Sequence, residues 1–391
     1  MKKRQNRQDE CFYEIAPEYA ELADTETCDS FMLSMLQVAM FYGEDLHISG
    51  LVSEQLLLNL NREIIPILNA FNAQYRKINL TADRTYSRAI YNGHGVGTGF
   101  SGGVDSFFTF LNNFAHPVSE ERKITHAFFF NVGSHGVSAD PKELAQIHGQ
   151  FESRYNYLTD YPREIGLPFI KMNSNIHRFQ PSGHIENCSF VTCGAGLLFQ
   201  KGLRRYLLSS GGYNYKEKFD SLLLGENKDT STLDPLLLPY FSTENLQFSA
   251  VETKFSRMEK LNALSVYEPA LHRLNICYRH DELAENCSVC EKCGFTLLML
   301  NVLGCIDQFA SAFDLKKYYR MEKYYAAKAL VHASTDIYYA DICRQAKERG
   351  FSLRSRTTLM NILAVKIESS RLHEALRKSA WIRKLGRWLK R

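Results

Sequence analysis

No stretch of the 391-residue sequence is apolar for long enough to span a bilayer. The basic opening MKKRQNRQDECF lacks the apolar segment that a secretory signal would need next. Charge of one sign is also scarce. The 47 Lys and Arg stand against 43 Asp and Glu, and a net charge of +4 does not by itself point to nucleic acid. Tryptophan occurs only twice, and no segment is repeated or of low complexity. The common phosphate loop, GxxxxGK followed by Ser or Thr, is missing. A disulfide framework is excluded by distribution, because three of the ten cysteines crowd into CSVCEKC and the others are scattered. Without a signal peptide, that crowding points to metal binding in a reducing, cytoplasmic compartment. What remains is 45% hydrophobic residues, enough for a packed core, in a chain long enough for two or three domains.

Apolar periodicity divides the chain into three parts. Residues 1–90 read as a small N-terminal α+β unit. It has a helix from Ser30, a short extended piece, a long amphipathic helix from about Ser53 and a strand over YRKINLTAD. Residues 91–293 alternate strand and helix. GVGTGF, ITHAFFFNVG, LPFIKMNSN and DSLLLGEN are read as strands, and DSFFTFLNNF, KELAQIHGQFESRYNYL and FVTCGAGLLFQKGL as helices. Continuous apolar strands between helices predict an α/β fold, a parallel sheet covered on both faces. Residues 294–391 read as a helical region.

FSGGVDSFF, at the carboxyl end of the first of these strands, is where such sheets bind ligands. Gly97, Gly99 and Gly102 satisfy GxGxxG, but the next strand ends in Asn131 where a dinucleotide fold needs a carboxylate, so that reading is rejected. What is left is a Ser-Gly-Gly-x-Asp-Ser turn opening a helix, whose first N–H groups carry partial positive charge. Gly102 and Gly103 let phosphate oxygens reach the main chain, Ser101 and Ser106 add hydroxyls, and Asp105 orients a metal ion or caps the helix. A tight strand-to-helix turn uses the same residues.

Four cysteines, Cys277, Cys287, Cys290 and Cys293, suit a closed tetrahedral zinc site. An iron–sulfur cluster is the rival, but the ferredoxin run continues x3-C-P and here GFTLL follows. With four protein ligands the metal would be structural. The other cysteines read as small buried apolar residues.

SGGVDS resembles the pyrophosphate loop of the N-type ATP pyrophosphatases, and the cysteine spacing is similar to that of their 7-cyano-7-deazaguanine synthase branch. The resemblance covers roughly residues 95 to 300. It implies a HUP-type parallel sheet, ATP and Mg²⁺, and an adenylated intermediate. It also implies that Gly225, Asn227 and Asp229 line the nucleotide site, with Arg257 and Lys260 facing phosphate or the adenylate, and Asn131, at the end of the next strand, is expected as a further nucleotide-binding residue. DPLLLP stands where the synthases carry a cysteine- and arginine-bearing motif, so a divergent relative with its own acceptor is implied.

The expected activity is therefore an AMP-forming ligase or amidating enzyme, with Asp105, Ser106, Arg257 and Lys260 as catalytic residues. A carboxylate or amide-like oxygen attacks the α phosphorus, and an amine or ammonia displaces AMP. No glutaminase-type feature identifies an ammonia source. A tRNA-thiolating enzyme using Cys188 and Cys193 is the second reading, and a non-catalytic nucleotide-binding partner protein the third. The tail RLHEALRKSAWIRKLGRWLKR places Trp381, Ile382, Leu385, Trp388 and Leu389 on one helical face among basic residues. It reads as docking on its own protein, with membrane-surface or nucleic-acid contact as alternatives. Nothing in the sequence fixes the oligomeric state, and a homodimer is compatible with it.

Overall fold

In the computed structural model the described residues are 9–136, 138, 140–223, 229–278 and 284–368. They fall into two compact units, one within residues 1–256 and 280–284, the other within 257–279 and 285–391. No described helix is long and apolar enough to cross a membrane.

The first unit contains β1 (Tyr13–Ile15), β2 (Leu46–Ser53), β3 (Leu80–Tyr86), β4 (Gly95–Gly99), β5 (His126–Asn131), β6 (Phe169–Ser174), β7 (Leu203–Ser209) and β8 (Gln247–Val251). Six form one sheet in the order β1-β6-β5-β4-β7-β8, while β2 and β3 pair in parallel as a second sheet. All neighbours from β6 to β8 are parallel, and β1 runs antiparallel along β6. The fold is thus α/β with a mostly parallel sheet flanked by helices. β5 carries the run AFFF, nearly all buried, as a strand covered on both faces requires. β4 is built largely of glycine because its neighbours leave no space. A Cβ on Gly97 would lie 2.7 Å from Phe128 Cε2 and 2.8 Å from Leu203 Cδ1.

Four expectations are corrected. Residues 1–90 are not a separate unit. The Asp29–Tyr42 helix packs on the His184–Leu197 helix so closely that a Cβ on Gly194 would meet Ser34 Oγ at 1.9 Å and Ser30 O at 2.9 Å. Met32, Leu36, Leu56 and Leu68 share a core with Phe128, Ile170 and Phe190. The boundary expected at residue 293 falls at 256. Of the strand expected over DSLLLGEN, residues 220–223 are instead the end of a helix, Tyr215–Leu223, where Lys216 and Asp220 pair one turn apart at 2.5 Å, and the rest lies outside the described residues. Its place in the sheet belongs to β7, which follows the preceding helix almost directly, and to β8. The strand expected from Tyr75 starts at Leu80, because Asn69 Nδ2 holds Tyr75 O at 2.7 Å and Tyr75 N bonds to Asn72 O at 2.9 Å in a turn.

A buried polar network ties the N-terminal residues to the sheet. Gln200 Nε2 lies 2.6 Å from Asp24 Oδ2 and 2.9 Å from Asp29 Oδ2, and its Oε1 accepts from Thr243 Oγ1 at 2.8 Å. Asp29 also accepts from Ser53 N at 2.7 Å and Tyr86 Oη at 2.6 Å. Burial pushes the Asp29 carboxyl above its usual range, and these bonds pull it back. Replacing Gln200 by Leu strips donors from buried carboxylates, which costs roughly 2–4 kcal/mol. Gln200→Leu is expected to lower the urea midpoint by that loss divided by an unchanged slope, and an unchanged midpoint would contradict the role given to this network.

Candidate functional site

β4 stays paired to its end, with Phe100 N bonded to Phe128 O at 2.8 Å. The chain then reverses into the Val104–Phe110 helix through Ser101, Gly102 and Gly103. Gly102 has φ +72°, the left-handed region where glycine avoids a steric penalty. Gly103 has φ −83° and ψ 175°, an extended conformation open to any residue, so the backbone does not explain why it lacks a side chain. Ser106 Oγ donates to Gly103 O at 3.0 Å, and Ser101 Oγ stands 3.4 Å from both Ser106 Oγ and Gly103 N. Arg154 Nη2 donates to Ser101 O at 3.0 Å, bringing a cation to the turn.

The sheet order changes direction here: β5 and β6 lie on one side of β4, β7 and β8 on the other. Ligands of open α/β sheets bind at this point, outside the carboxyl ends of the strands. A cavity of about 380 Å³ lies there, with Ser101, Asp105 and Ser106 at one part of its wall and Phe128 and Tyr206 at another. The Tyr206 hydroxyl is buried and has no hydrogen-bond partner among the described residues.

Asp234 also lines the cavity and is 2% exposed. Burial pushes its carboxyl up to about 7, against the hydrogen bond from Ser189 Oγ at 2.5 Å and the charge of Lys218, with Asp229 adding to the rise. Cys188, on the same wall, is pushed up to about 12 by burial and by Asp234 and Asp229. Burial likewise holds the Cys193 thiol well above its usual range. Neither cysteine is a thiolate near neutral pH.

Of the residues expected from sequence, Ser101, Asp105 and Ser106 meet at the cavity, on the turn made by Gly102 and Gly103. Asn131 does not line it. Its side chain turns along the sheet and donates to Asn173 Oδ1 at 2.8 Å. Gly225 and Asn227 lie outside the described residues. Asp229 caps the short turn Thr230–Leu233 and accepts from Ser231 N at 2.9 Å. Arg257 and Lys260 belong to the second unit, on the Arg257–Leu264 helix. The Arg257 guanidinium lies 5.7 Å from the Tyr338 ring centre, and Lys260 is fully buried rather than on a solvated face. Sequence reasoning missed Asp234 and Arg154. Asp234 precedes a proline at a helix start, which reads as a turn, and no local pattern marks its burial.

Cys277, Cys287, Cys290 and Cys293 meet as expected in the second unit, with all four Sγ atoms within 4.8 Å of one another. The Cys277–Cys290 separation of 3.8 Å matches the edge of a tetrahedron with metal–sulfur bonds of about 2.3 Å. Cys290 N donates to Cys287 Sγ at 3.2 Å and Cys293 N to Cys290 Sγ at 3.4 Å. Hydrogen bonds from Cys277 and Cys293 hold the Cys290 thiol well below its usual range. The donor set therefore fits a metal ion, with every tetrahedral position taken by protein.

Two outcomes follow from this geometry. Elemental analysis is expected to give one metal ion per chain, and Cys290→Ser to lose the metal and lower Tm, because metal binding here is folding energy. A metal-free wild-type protein with the Tm of the variant would contradict this. Because the Asp234 carboxyl sits above the unfolded value of about 3.9, it favours folding at low pH, and that contribution is lost as pH rises through about 7. Asp234→Asn is expected to raise Tm at about pH 8, with the gain shrinking to about a third at about pH 5. A gain independent of pH would contradict the assignment. Compared with the models of known protein families, with curated proteins and with solved structures, the chain matches none.

Proposed function

We propose that the protein is an ATP-dependent adenylating enzyme that forms AMP and pyrophosphate while activating an acceptor oxygen for attack by an amine or ammonia. One observation carries this reading: the Ser101–Ser106 turn stands at the switch point of a parallel sheet, beside a cavity, with a glycine at 103 that the backbone does not require. A ligand that approaches the main chain would account for it. The order β6-β5-β4-β7-β8 supports a HUP-type sheet.

On this reading the turn's N–H groups and the Ser101 and Ser106 hydroxyls hold the leaving pyrophosphate, as preorganised donors aimed at developing charge. Arg154 adds positive charge through its contact with Ser101 O. Magnesium held by Asp105 would neutralise the triphosphate. Asp234, raised to about 7 by burial and so divided between its two forms near neutral pH, takes in its ionised form the proton that the attacking amine gives up as its nitrogen bonds to the acceptor and AMP leaves. Arg257 and Lys260, which the resemblance places at phosphate, are assigned no step. The four cysteines hold zinc, whose tetrahedral preference they suit, as a structural ion. The high values at Cys188 and Cys193 favour adenylation over a tRNA-thiolating reaction, which needs a reactive thiolate.

Calorimetry with magnesium is expected to detect binding of both ATP and pyrophosphate. Gly103→Ala, tolerated by its backbone, should keep Tm and lose at least tenfold in affinity for both. In an assay with a productive acceptor, Ser101→Ala or Ser106→Ala should slow pyrophosphate release about a hundredfold. Absence of binding by either ligand would refute the proposal, and binding without pyrophosphate release for any acceptor would favour a nucleotide-binding partner protein.

A further inference from the structure

The last described helix, Arg356–Glu368, turns much of its apolar surface to water. It packs on the Leu315–His332 helix and buries Thr358 and Val365. On the opposite side Leu359, Met360 and Leu363 are 58%, 76% and 66% exposed. Their spacing puts them on one face, with the exposed Arg356 and Lys366 at its two ends. An aliphatic cluster of this kind, framed by cations, needs a cover.

The sequence that follows indicates which cover fits. Residues 369–391 hold eight Lys and Arg against one Glu, together with both tryptophans. With a net charge of +4 for the whole chain, residues 1–368 are net −3. The positive charge of the protein is therefore concentrated in the segment that continues from the exposed apolar face. We infer that this end of the chain is a docking surface for an anionic lipid bilayer. Leu359, Met360 and Leu363 enter the boundary between headgroups and acyl chains. Arg356, Lys366 and the basic residues after 370 meet lipid phosphates, and Trp381 and Trp388 suit the interface by composition. RNA would neutralise the charge but leave the three aliphatic side chains in water. A second copy of the chain would cover them but bring two strongly basic segments together.

The test uses the full-length protein and two vesicle preparations, phosphatidylcholine alone and phosphatidylcholine mixed with phosphatidylglycerol. Cosedimentation is expected with the mixed vesicles only, weakening as salt is raised. The triple variant Leu359→Ser, Met360→Ser, Leu363→Ser is expected to keep the wild-type Tm and lose at least tenfold in vesicle affinity. The charge variant Arg383→Glu, Lys384→Glu, Arg387→Glu is expected to lose at least as much. The inference is overturned if neither preparation binds, if both bind equally, or if the serine variant binds as tightly as wild type. It is overturned equally if sedimentation shows a dimer that the serine variant abolishes, or if an RNA oligonucleotide binds as tightly as the mixed vesicles and the serine variant binds RNA unchanged.

Discussion

A methyl group on Gly97 would lie 2.7 Å from the Phe128 ring and 2.8 Å from the Leu203 side chain, so the sheet's central strand has to be bare on that face. The rings supply what the strand lacks. Phe128 packs on Phe199 with centroids 4.7 Å apart and on Tyr206 at 5.9 Å, and Tyr206 reaches Phe248 at 5.6 Å. Such a layer gains both from burial and from ring contact. It also builds the site, because Phe128 and Tyr206 wall the cavity beyond the strand's end. A side chain on β4 would push those rings apart, and smaller rings would leave a void beside glycine. The glycines and the aromatics therefore have to change together.

The cavity joins two environments of opposite character. At the turn, main-chain N–H groups, two hydroxyls and the nearby Arg154 favour negative charge. At Asp234, burial disfavours it. An anion bound at the turn would raise the Asp234 carboxyl further, since like charges in one low-dielectric cavity resist each other. On the adenylation reading, a proton captured by Asp234 is therefore held more tightly while pyrophosphate is bound and given up more readily as it leaves, through the field across the cavity. Burial, helped by the charges of Asp234 and Asp229, keeps Cys188 protonated and removes it from nucleophilic roles.

Much of this architecture is legible in the sequence where the pattern is local. The buried run AFFF, the helix after SGGVDS and the crowding of Cys287, Cys290 and Cys293 each fix a structure within a few residues. Misreadings arise where distant contacts decide. DSLL has the apolar density of a strand, yet it closes a helix whose buried side carries Lys218 and Ser221. β7 leaves no loop signal because it follows the His184–Leu197 helix within a few residues. The first 90 residues look self-contained because nothing local reveals that Gly194 leaves room for Ser34 at helix-to-helix contact distance. Asp234 and Asn131 show the same limit at the site. Burial raises one into the chemically useful range, and a partner on β6 turns the other aside.

The cysteine cluster shows how little local sequence is needed to gather four thiols that could hold a metal ion when the surrounding chain is fixed by other bonds. Asn286 accepts from Ile276 N at 2.9 Å and Cys277 N at 3.2 Å while donating to Leu274 O at 2.7 Å, so it holds the segment bearing the first ligand. Ser288 sits at φ +61° and accepts from Asp314 N at 2.9 Å, an unusual conformation held by a long-range bond. Tyr325 donates to Val289 O at 2.7 Å, and its ring lies so near Gly294 that a Cβ there would come within 2.0 Å of it. The thiolates alone would close a small loop. Asn286, Ser288 and Tyr325 spread that closure to the helices of the second unit. Because the four sulfurs leave a tetrahedral ion no open position, the chemistry available at this centre is to hold those helices in place.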